Sequence, residues 1–371
     1  MLYKPYGATG IDLSVIGFGG MRFRSHDPKD WDAGAAVMKA AYDAGINYFD
    51  TAPGYGKSEA IFGVALQDML KTRAERPFYV SSKTFGADED AVRRDLEQSL
   101  ERMGLDAIDF YHMWCLITPE SYAQRKRALK AFEKVKEEGL VRHICVSTHM
   151  TGADIGDLLR DYPFDGVLLG YSIMNFAYRE AGIQAAADLQ RGVVCMNPLG
   201  GGLIPQHPER FAFVRTRDDL TLVESALQFL VNDPRITVSL VGFSTEAQVN
   251  EAIHAVDTFE PLAPQTIETV RNSLSDAFNA MCTGCRYCDD CPEGIPVPRL
   301  MEAYNHALLS GNPDDAVKRL KMHWGIKPSD TALLEQCLEC GRCEAACTQK
   351  LPIVERLKAV KTAMQKAQTA A

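Results

Sequence analysis

Up to about residue 260, short apolar runs alternate with longer amphipathic segments. The runs "SVIGFGG" (14–20), "NYFD" (47–50), "FYVSSK" (78–83), "AIDFYHMW" (107–114), "VRHICVS" (141–147), "GVLLGY" (166–171), "GVVCM" (192–196) and "TVSLVG" (237–242) read as eight strands. They are rich in Val, Ile and Phe, as strands buried on both faces should be. Helical patterns separate them, for example "DEDAVRRDLEQSLERM" (88–103) and "QRKRALKAFEKVKEEG" (124–139), the second ending at Gly139 as a stop. Eight strand–helix units in this length predict an α/β fold, a (β/α)8 TIM barrel over residues 1–260. An open doubly wound sheet is the alternative. "GFGGMR" (17–22) resembles a dinucleotide fingerprint, but Arg22 stands where its third Gly belongs, so that reading is set aside.

After 260 the pattern changes. "LAPQTIETVRNSLSDAFNAM" (262–281), "VPRLMEAYNHALLSG" (297–311), "PDDAVKRLKMHW" (313–324) and "VERLKAVKTAMQKAQTAA" (354–371) read as helices. Residues 261–371 are expected to form a small, mainly helical domain without a β-rich ferredoxin pattern. A domain this small depends on bound metal for its folding.

The totals narrow the function classes. The 371 residues allow two or three domains, and the 46% hydrophobic content is ample for a large core. A net charge of −9 without a long basic run argues against a nucleic-acid surface. No apolar run reaches the roughly 20 residues that cross a bilayer. The first residues, "MLYKPYGATG", lack a secretory apolar segment, so the chain is expected in the cytoplasm. Disulfides are rare there.

Eight of the eleven cysteines lie between 282 and 347. In a reducing compartment that clustering favours metal over disulfides. The first group is C-x2-C-x2-C-x2-C-P at Cys282, Cys285, Cys288 and Cys291. The second is C-x2-C-x2-C-x3-C at Cys337, Cys340, Cys343 and Cys347. Three thiolates two residues apart wrap one corner of an iron–sulfur cube, and in two-cluster runs the fourth cysteine serves the other cluster. That rule places Cys282, Cys285, Cys288 and Cys347 on one 4Fe-4S cluster, with Cys337, Cys340, Cys343 and Cys291 on a second. The short last gap of the first run, and Cys-Thr in place of Cys-Pro in the second, leave open that each run serves its own cluster. Structural zinc is the other alternative, but a four-thiolate zinc site usually takes two separated C-x2-C pairs. Cys115, Cys145 and Cys195 lie on or beside strands and read as small buried apolar residues. Asp289, Asp290 and Glu293 beside the first run read as a solvated acidic face; the alternative is an acidic patch that disfavours added electrons.

In a barrel of this kind reacting groups gather where strands end at the C-terminal face. Asp50 ends "NYFD", Tyr55 follows in "TAPGYGKSE", and Lys83 ends "FYVSSK". A Tyr, with an unperturbed pKa of about 10, is a reluctant acid, and a neighbouring ammonium favours its phenolate. A carboxylate would hold the Lys in place, an attraction of roughly 4 kcal/mol at about 4 Å and an effective dielectric of about 20, before desolvation. A buried Asp–Lys pair with a packed Tyr is the purely structural alternative.

The chain here resembles the aldo-keto reductase superfamily. The matching pieces are "INYFDTAPGYGKSE", "SSK", "LDAIDFY", "GLVRHICVS", "PLGGG" and "STEAQVNEA", in family order, and the tail resembles the subgroup with a C-terminal ferredoxin-like domain. The resemblance implies a barrel that binds NADP or NAD without a Rossmann fold and transfers hydride to a small carbonyl, or from an alcohol. It implies Tyr55 as general acid, supported by Lys83 and Asp50. For the cofactor it implies Gly20, Met21, Arg22, Asp50, Ser147, Thr148, Pro198, Leu199, Gly200, Gly242, Ser244, Gln248 and Glu251.

Departures from the family pattern follow. The family's catalytic His falls at Trp114, counted from Asp109; His112 lies two residues earlier on the same face. Trp114 can donate an indole N–H but cannot exchange protons. His149 is a further candidate, although packed or solvated side chains account for both histidines. Ser147-Thr148 replaces Ser-Asn, Leu168 replaces a Gln, and Ala252 replaces an Asn. The last strand's loop lacks the basic residue that pairs with a 2′-phosphate. NADH, NADPH and a flavin therefore all stay open.

The expected function is an iron–sulfur oxidoreductase of aldo-keto reductase type, its clusters passing electrons, with a partner protein in view, or stabilising the fold. The alternatives are an electron-transfer or docking protein on a degenerate barrel, and a C=C reductase or lyase. Arg22, Arg24 and Arg215 would suit an anionic substrate if they face the pocket.

Overall fold

The computed structural model describes residues 1–174, 176–274 and 280–369. It divides into two compact units, one of residues Met1–Leu199 and Phe211–Asn272, the other of Gly200–Arg210 and Ser273–Ala371.

The first unit opens with a short antiparallel pair, β1 (Tyr3–Pro5) and β2 (Asp12–Ser14). Eight parallel strands then close a barrel: β3 (Ile16–Gly19), β4 (Tyr48–Asp50), β5 (Tyr79–Thr84), β6 (Ile108–Leu116), β7 (Val141–Thr148), β8 (Gly166–Gly170), β9 (Gly192–Met196) and β10 (Val238–Val241), with β10 pairing back to β3. All eight expected strands are present, and the barrel replaces the open sheet. The helix expected over 88–103 runs Glu89–Met103, with the Asp88 side chain accepting from the Ala91 N–H at its start. The segment 124–139 departs from expectation. A helix Pro119–Arg125 ends in one tight turn, and a second helix, Leu129–Glu137, follows before Gly139 turns at φ 80°. A capping box at Thr118, with Pro119 at the first helical position, starts the earlier helix upstream of the periodic stretch.

The barrel's N-terminal end is filled by Tyr6. Its ring occupies the space where a Cβ on Gly166 or Gly192 would lie, 1.9 Å from its hydroxyl oxygen and 2.2 Å from Cδ2. The two strands begin with glycine because a tyrosine fills their side-chain layer. Around it pack Leu13, Tyr48, Phe110, Cys145, Leu168, Val194 and Val238, all buried. Leu168, at the position of the family's Gln, is thus a core residue.

The second unit is helical, as expected. Its helices include Val297–Ser310, Pro313–Arg319, which continues into one wider turn, Leu320–Trp324, and the long Ile353–Thr369. The helix expected over 262–281 is observed at Pro264–Ser273, all but Ser273 in the first unit, and positions 275–279 lie outside the described residues. Among the described residues no helix is long and apolar enough to cross a membrane.

Truncating a fully buried aromatic typically costs about 3–5 kcal/mol. Tyr6→Ala should therefore lower the barrel's unfolding free energy by about that amount, read as a shifted urea midpoint at unchanged slope. A loss below about 1 kcal/mol would mean that the glycine-lined base collapses around the gap.

Candidate active site and thiol centres

Asp50 is the last residue of β4, and Lys83 lies near the end of the neighbouring β5. Both are buried, with 1% and 0% of their surface exposed. The Lys83 ammonium meets three acceptors: Asp50 Oδ1 and Oδ2, each at 2.6 Å, and the Thr51 carbonyl at 2.7 Å. Ser81 donates its hydroxyl to Asp50 Oδ2 at 2.8 Å. Burial pushes the Asp50 carboxyl up and the Lys83 ammonium down, and each opposes the other's shift as its counter-ion. The Lys83 nitrogen stands 5.1 Å from the centre of the Tyr55 ring. The expected trio is thus brought together.

Trp114 packs edge-on to Tyr55, with ring centres 5.5 Å apart, and stacks on Phe85 at 4.1 Å. Its backbone leaves regular strand geometry. The register between β6 and β7 shifts between Met113 and Leu116, and Cys115 adopts φ 56°. That irregularity re-aims the end of the strand where the family places its His. Arg125 donates to the carbonyls of Trp114 and Thr84, tying the ends of β6 and β5 together. Phe85 is 51% exposed, so one aromatic wall of this site meets solvent.

His112 pairs in register with Lys83 and is fully buried. Neither ring nitrogen has a hydrogen-bond partner among the described residues. Burial, then the Lys83 charge, pulls its pKa down to about 3, so it is neutral at ordinary pH. It lies inside the barrel, not at the mouth. His149 is also buried and pulled down to about 3 by burial and Arg179.

Four other participants escaped the sequence reading: Thr51, Ser81, Arg125 and Glu59. Glu59 is buried, accepts from Ser82 at 2.9 Å and Arg102 at 2.8 Å, and adds a second negative charge near Lys83. Its signal was the helix start after "GYGKS", where a carboxylate sits on the inward face.

The expected nucleotide residues fall into separate places. Ser244 donates to the Arg22 carbonyl at 2.6 Å. The Arg22 side chain crosses Gly242 so closely that a Cβ there would lie 2.5 Å from Arg22 Cγ. Both sit beside the N-terminus of the helix Glu246–Asp257, capped by Thr245. A helix start flanked by an arginine suits a phosphate, so these residues fit a phosphate-bearing cofactor. Gln248 Oε1 accepts the Ser244 N–H at 2.8 Å, and Glu251 is tied to the Thr221 hydroxyl at 2.9 Å. Gly20, Ser147, Thr148 and Pro198 are buried, Met21 and Leu199 half-buried, and Thr148 donates to the Leu116 carbonyl at 3.0 Å. Gly200 belongs to the second unit. Arg24 and Arg215 are exposed.

In the second unit, Cys291, Cys337, Cys340 and Cys343 line one cavity. The other four thiols lie within electrostatic reach of one another: Cys288 senses Cys282, Cys285 and Cys347, and Cys347 senses Cys285. Cys285 Sγ is also 3.5 Å from the hydroxyl of Thr348. This grouping is the crosswise one, each run lending its last cysteine to the other. Burial pushes the Cys282 and Cys288 thiols up to about 12. Among the described residues no three His, Cys, Asp or Glu side chains gather as a single-ion site. Thiols spaced around a cavity suit a polynuclear cluster. Asp289 and Asp290 are exposed and paired with Arg286 and Arg342, a solvated acidic face.

His112 makes acid stability testable. Above pH 6.5 it is neutral in both folded and unfolded chains. Between about 6.5 and about 3 the unfolded chain binds a proton that the folded one refuses, so stability falls as pH falls through that window. His112→Leu should flatten this limb in urea melts at pH 7, 5 and 4. An unchanged pH slope in the variant would show that other groups set it.

The comparisons complete the picture. The model of the Aldo/keto reductase family matches residues 15–274, and that of the 4Fe-4S dicluster domain matches 281–351. L-galactose dehydrogenase of Arabidopsis thaliana is 28% identical over 312 residues, covering 74% of this chain and 95% of that protein. D-threo-aldose 1-dehydrogenase of Pseudomonas sp is 27% identical over 302 residues, covering 66% and 89%. A holo aldo-keto reductase from Bacillus halodurans shares the fold, with a TM-score of 0.64 and 22% identity over 74% of this chain and 97% of its own. With the closed barrel and the eight grouped thiols, these matches place the chain in the aldo/keto reductase family, as an oxidoreductase whose barrel is followed along the chain by a 4Fe-4S domain.

Proposed function

We propose that the barrel carries out NAD(P)H-linked reduction of a small carbonyl, or the reverse oxidation of an alcohol, with Tyr55 as general acid and base. One observation carries this reading: a buried, fully bonded Asp50–Lys83 pair lies against the Tyr55 ring. Bound nicotinamide supplies or accepts the hydride. Tyr55 gives the hydroxyl proton to the substrate oxygen in reduction and takes it back in oxidation. Lys83 favours the phenolate left behind. Asp50, Ser81 and the Thr51 carbonyl keep the ammonium charged and fixed. Trp114 can donate its indole N–H but not exchange it, so the proton rests with Tyr55 alone. Arg22, Ser244 and the start of the helix Glu246–Asp257 hold the nucleotide's phosphates.

Two relatives are named for sugar substrates. The substrate class that accords with them is a polyhydroxylated aldehyde or lactol, held against the Phe85–Trp114 wall. Cys282, Cys285, Cys288 and Cys347 hold one 4Fe-4S cluster, and Cys291, Cys337, Cys340 and Cys343 a second. A second reading, C=C reduction or elimination, draws on the replacement of an exchangeable donor by Trp114.

Tyr55→Phe should cut kcat for aldehyde reduction by about 10²–10⁴ while leaving nucleotide affinity unchanged. Full turnover of aldehydes by the variant would remove Tyr55 from proton transfer, and selective retention of enal C=C reduction would favour the second reading.

Hydride carries two electrons, whereas each cluster takes one. In oxygen-free protein, NADH or NADPH alone should therefore leave the clusters' visible absorbance unchanged, while dithionite bleaches it. Bleaching by nicotinamide would instead require a flavin in the chain, or another splitter of the electron pair.

A further inference from the structure

The long helix Ile353–Thr369 buries a stripe of Ile353, Leu357, Val360 and Met364. Arg356 falls within that stripe and is only 5% exposed. Its Nη1 is buried and has no hydrogen-bond acceptor among the described residues. The guanidinium lies over the Tyr304 ring, 5.1 Å from its centre. After that ring, the groups it senses most strongly are the thiols of Cys282 and Cys347, ahead of the exposed Glu355. Asn305, beside Tyr304, clasps Cys282 through both backbone groups, at 2.9 and 2.8 Å. The Leu351 N–H points to Cys347 Sγ at 3.4 Å.

A buried guanidinium with an idle donor is costly unless negative charge faces it. Among the described residues no carboxylate forms an ion pair with it, and the one it senses, Glu355, is exposed. A four-thiolate iron–sulfur cube is anionic and gains a further negative charge on reduction. It offers both the missing charge and the missing sulfur acceptors.

We propose that Arg356 is a positioning and tuning residue for the cluster held by Cys282, Cys285, Cys288 and Cys347, raising that cluster's reduction potential above the value its burial alone would give. The proposal rests on the ligand grouping of the preceding subsection. The step is a single electron added to the cube, with no bond made or broken. A fixed cation stabilises the more negative, reduced state over the oxidised one. Among the described residues, the arginine beside the other thiol set is an exposed one, not a buried one. That set's cavity is lined by Glu293 and by Arg342, which is exposed and paired with Asp290, and Cys340 is itself exposed. The two clusters are therefore held at separate potentials by different surroundings.

The test is a redox titration of the full-length protein, purified without oxygen and followed by electron paramagnetic resonance, with iron and acid-labile sulfide counted in each sample. Arg356→Gln should make one cluster harder to reduce by about tenfold or more in its equilibrium, which is about 59 mV for one electron. The second midpoint should stay in place. Arg356→Lys keeps the charge without the fork and should shift less. Cys340→Ser perturbs the other cluster's signal and so assigns the two midpoints. If neither midpoint moves in Arg356→Gln, or both move together, the proposal fails. If the Gln variant loses the neighbouring cluster while the Lys variant holds it, positive charge is the requirement and the proposal stands. Loss in both variants would make Arg356 a packing residue and overturn it. Iron for only one cluster in the unaltered protein would overturn the grouping itself, a result the midpoints cannot mimic.

Discussion

An ammonium shut away from water must have its charge met by its neighbours, and Lys83 has that condition met in full. Its three protons face two carboxylate oxygens and one carbonyl. Removing one partner of such a pair leaves a buried charge alone, which typically costs about 3–5 kcal/mol. The pair joins the ends of two adjacent strands, so the same contact closes this part of the barrel rim and fixes what lies above it. From that point Tyr55 meets Trp114 edge-on and Trp114 stacks on Phe85.

The second unit answers to a different constraint. Its core contains cysteines: Cys288 and Cys347 are buried with Leu300, Leu320, Leu357 and Val360, while Cys282, Cys291, Cys337 and Cys343 pack against them. As free thiols they are ordinary small apolar groups. Burial holds the Cys282 and Cys288 thiols protonated, so a metal that takes them as thiolates must displace those protons.

Much of this was legible in the chain. The strands announced themselves because both faces of each are buried, leaving unbroken apolar runs. Spacing offered the crosswise thiol grouping but left open that each run serves its own cluster, since the last gap of the first run is short and the second run ends in Cys-Thr. The pair β1 and β2 was not legible, because three-residue strands with half-exposed, mixed side chains carry no periodicity. The break near residues 126–128 was hidden by a continuous helical pattern, in which a capping box and Pro119 moved the start upstream. Glu59 and Arg356 were hard to read for a shared reason. A charged residue on a helix reads as solvated, and only tertiary neighbours reveal that its face is turned inward. Arg356 left one trace, a basic residue at the i+3 place of an apolar stripe.

Trp114 poses the question of whether the barrel is an enzyme site or a scaffold left over from one. Losing a donor to the developing oxyanion costs about 10²–10³ in turnover, a serious but bounded handicap. The Asp50–Lys83 pair argues in the other direction. A buried ion pair is poor value for stability alone, since well-packed apolar residues of similar volume are often neutral or stabilising in its place. Here the pair comes with every acceptor supplied: Ser81 turned to the carboxylate, Thr51 turned to the ammonium, and Glu59 adding charge from the next helix. A proton donor that must surrender its proton and recover it needs all of them, because the phenolate is tolerable only beside a cation that cannot itself escape or neutralise. The geometry under Tyr55 accords with the proton transfer proposed for it.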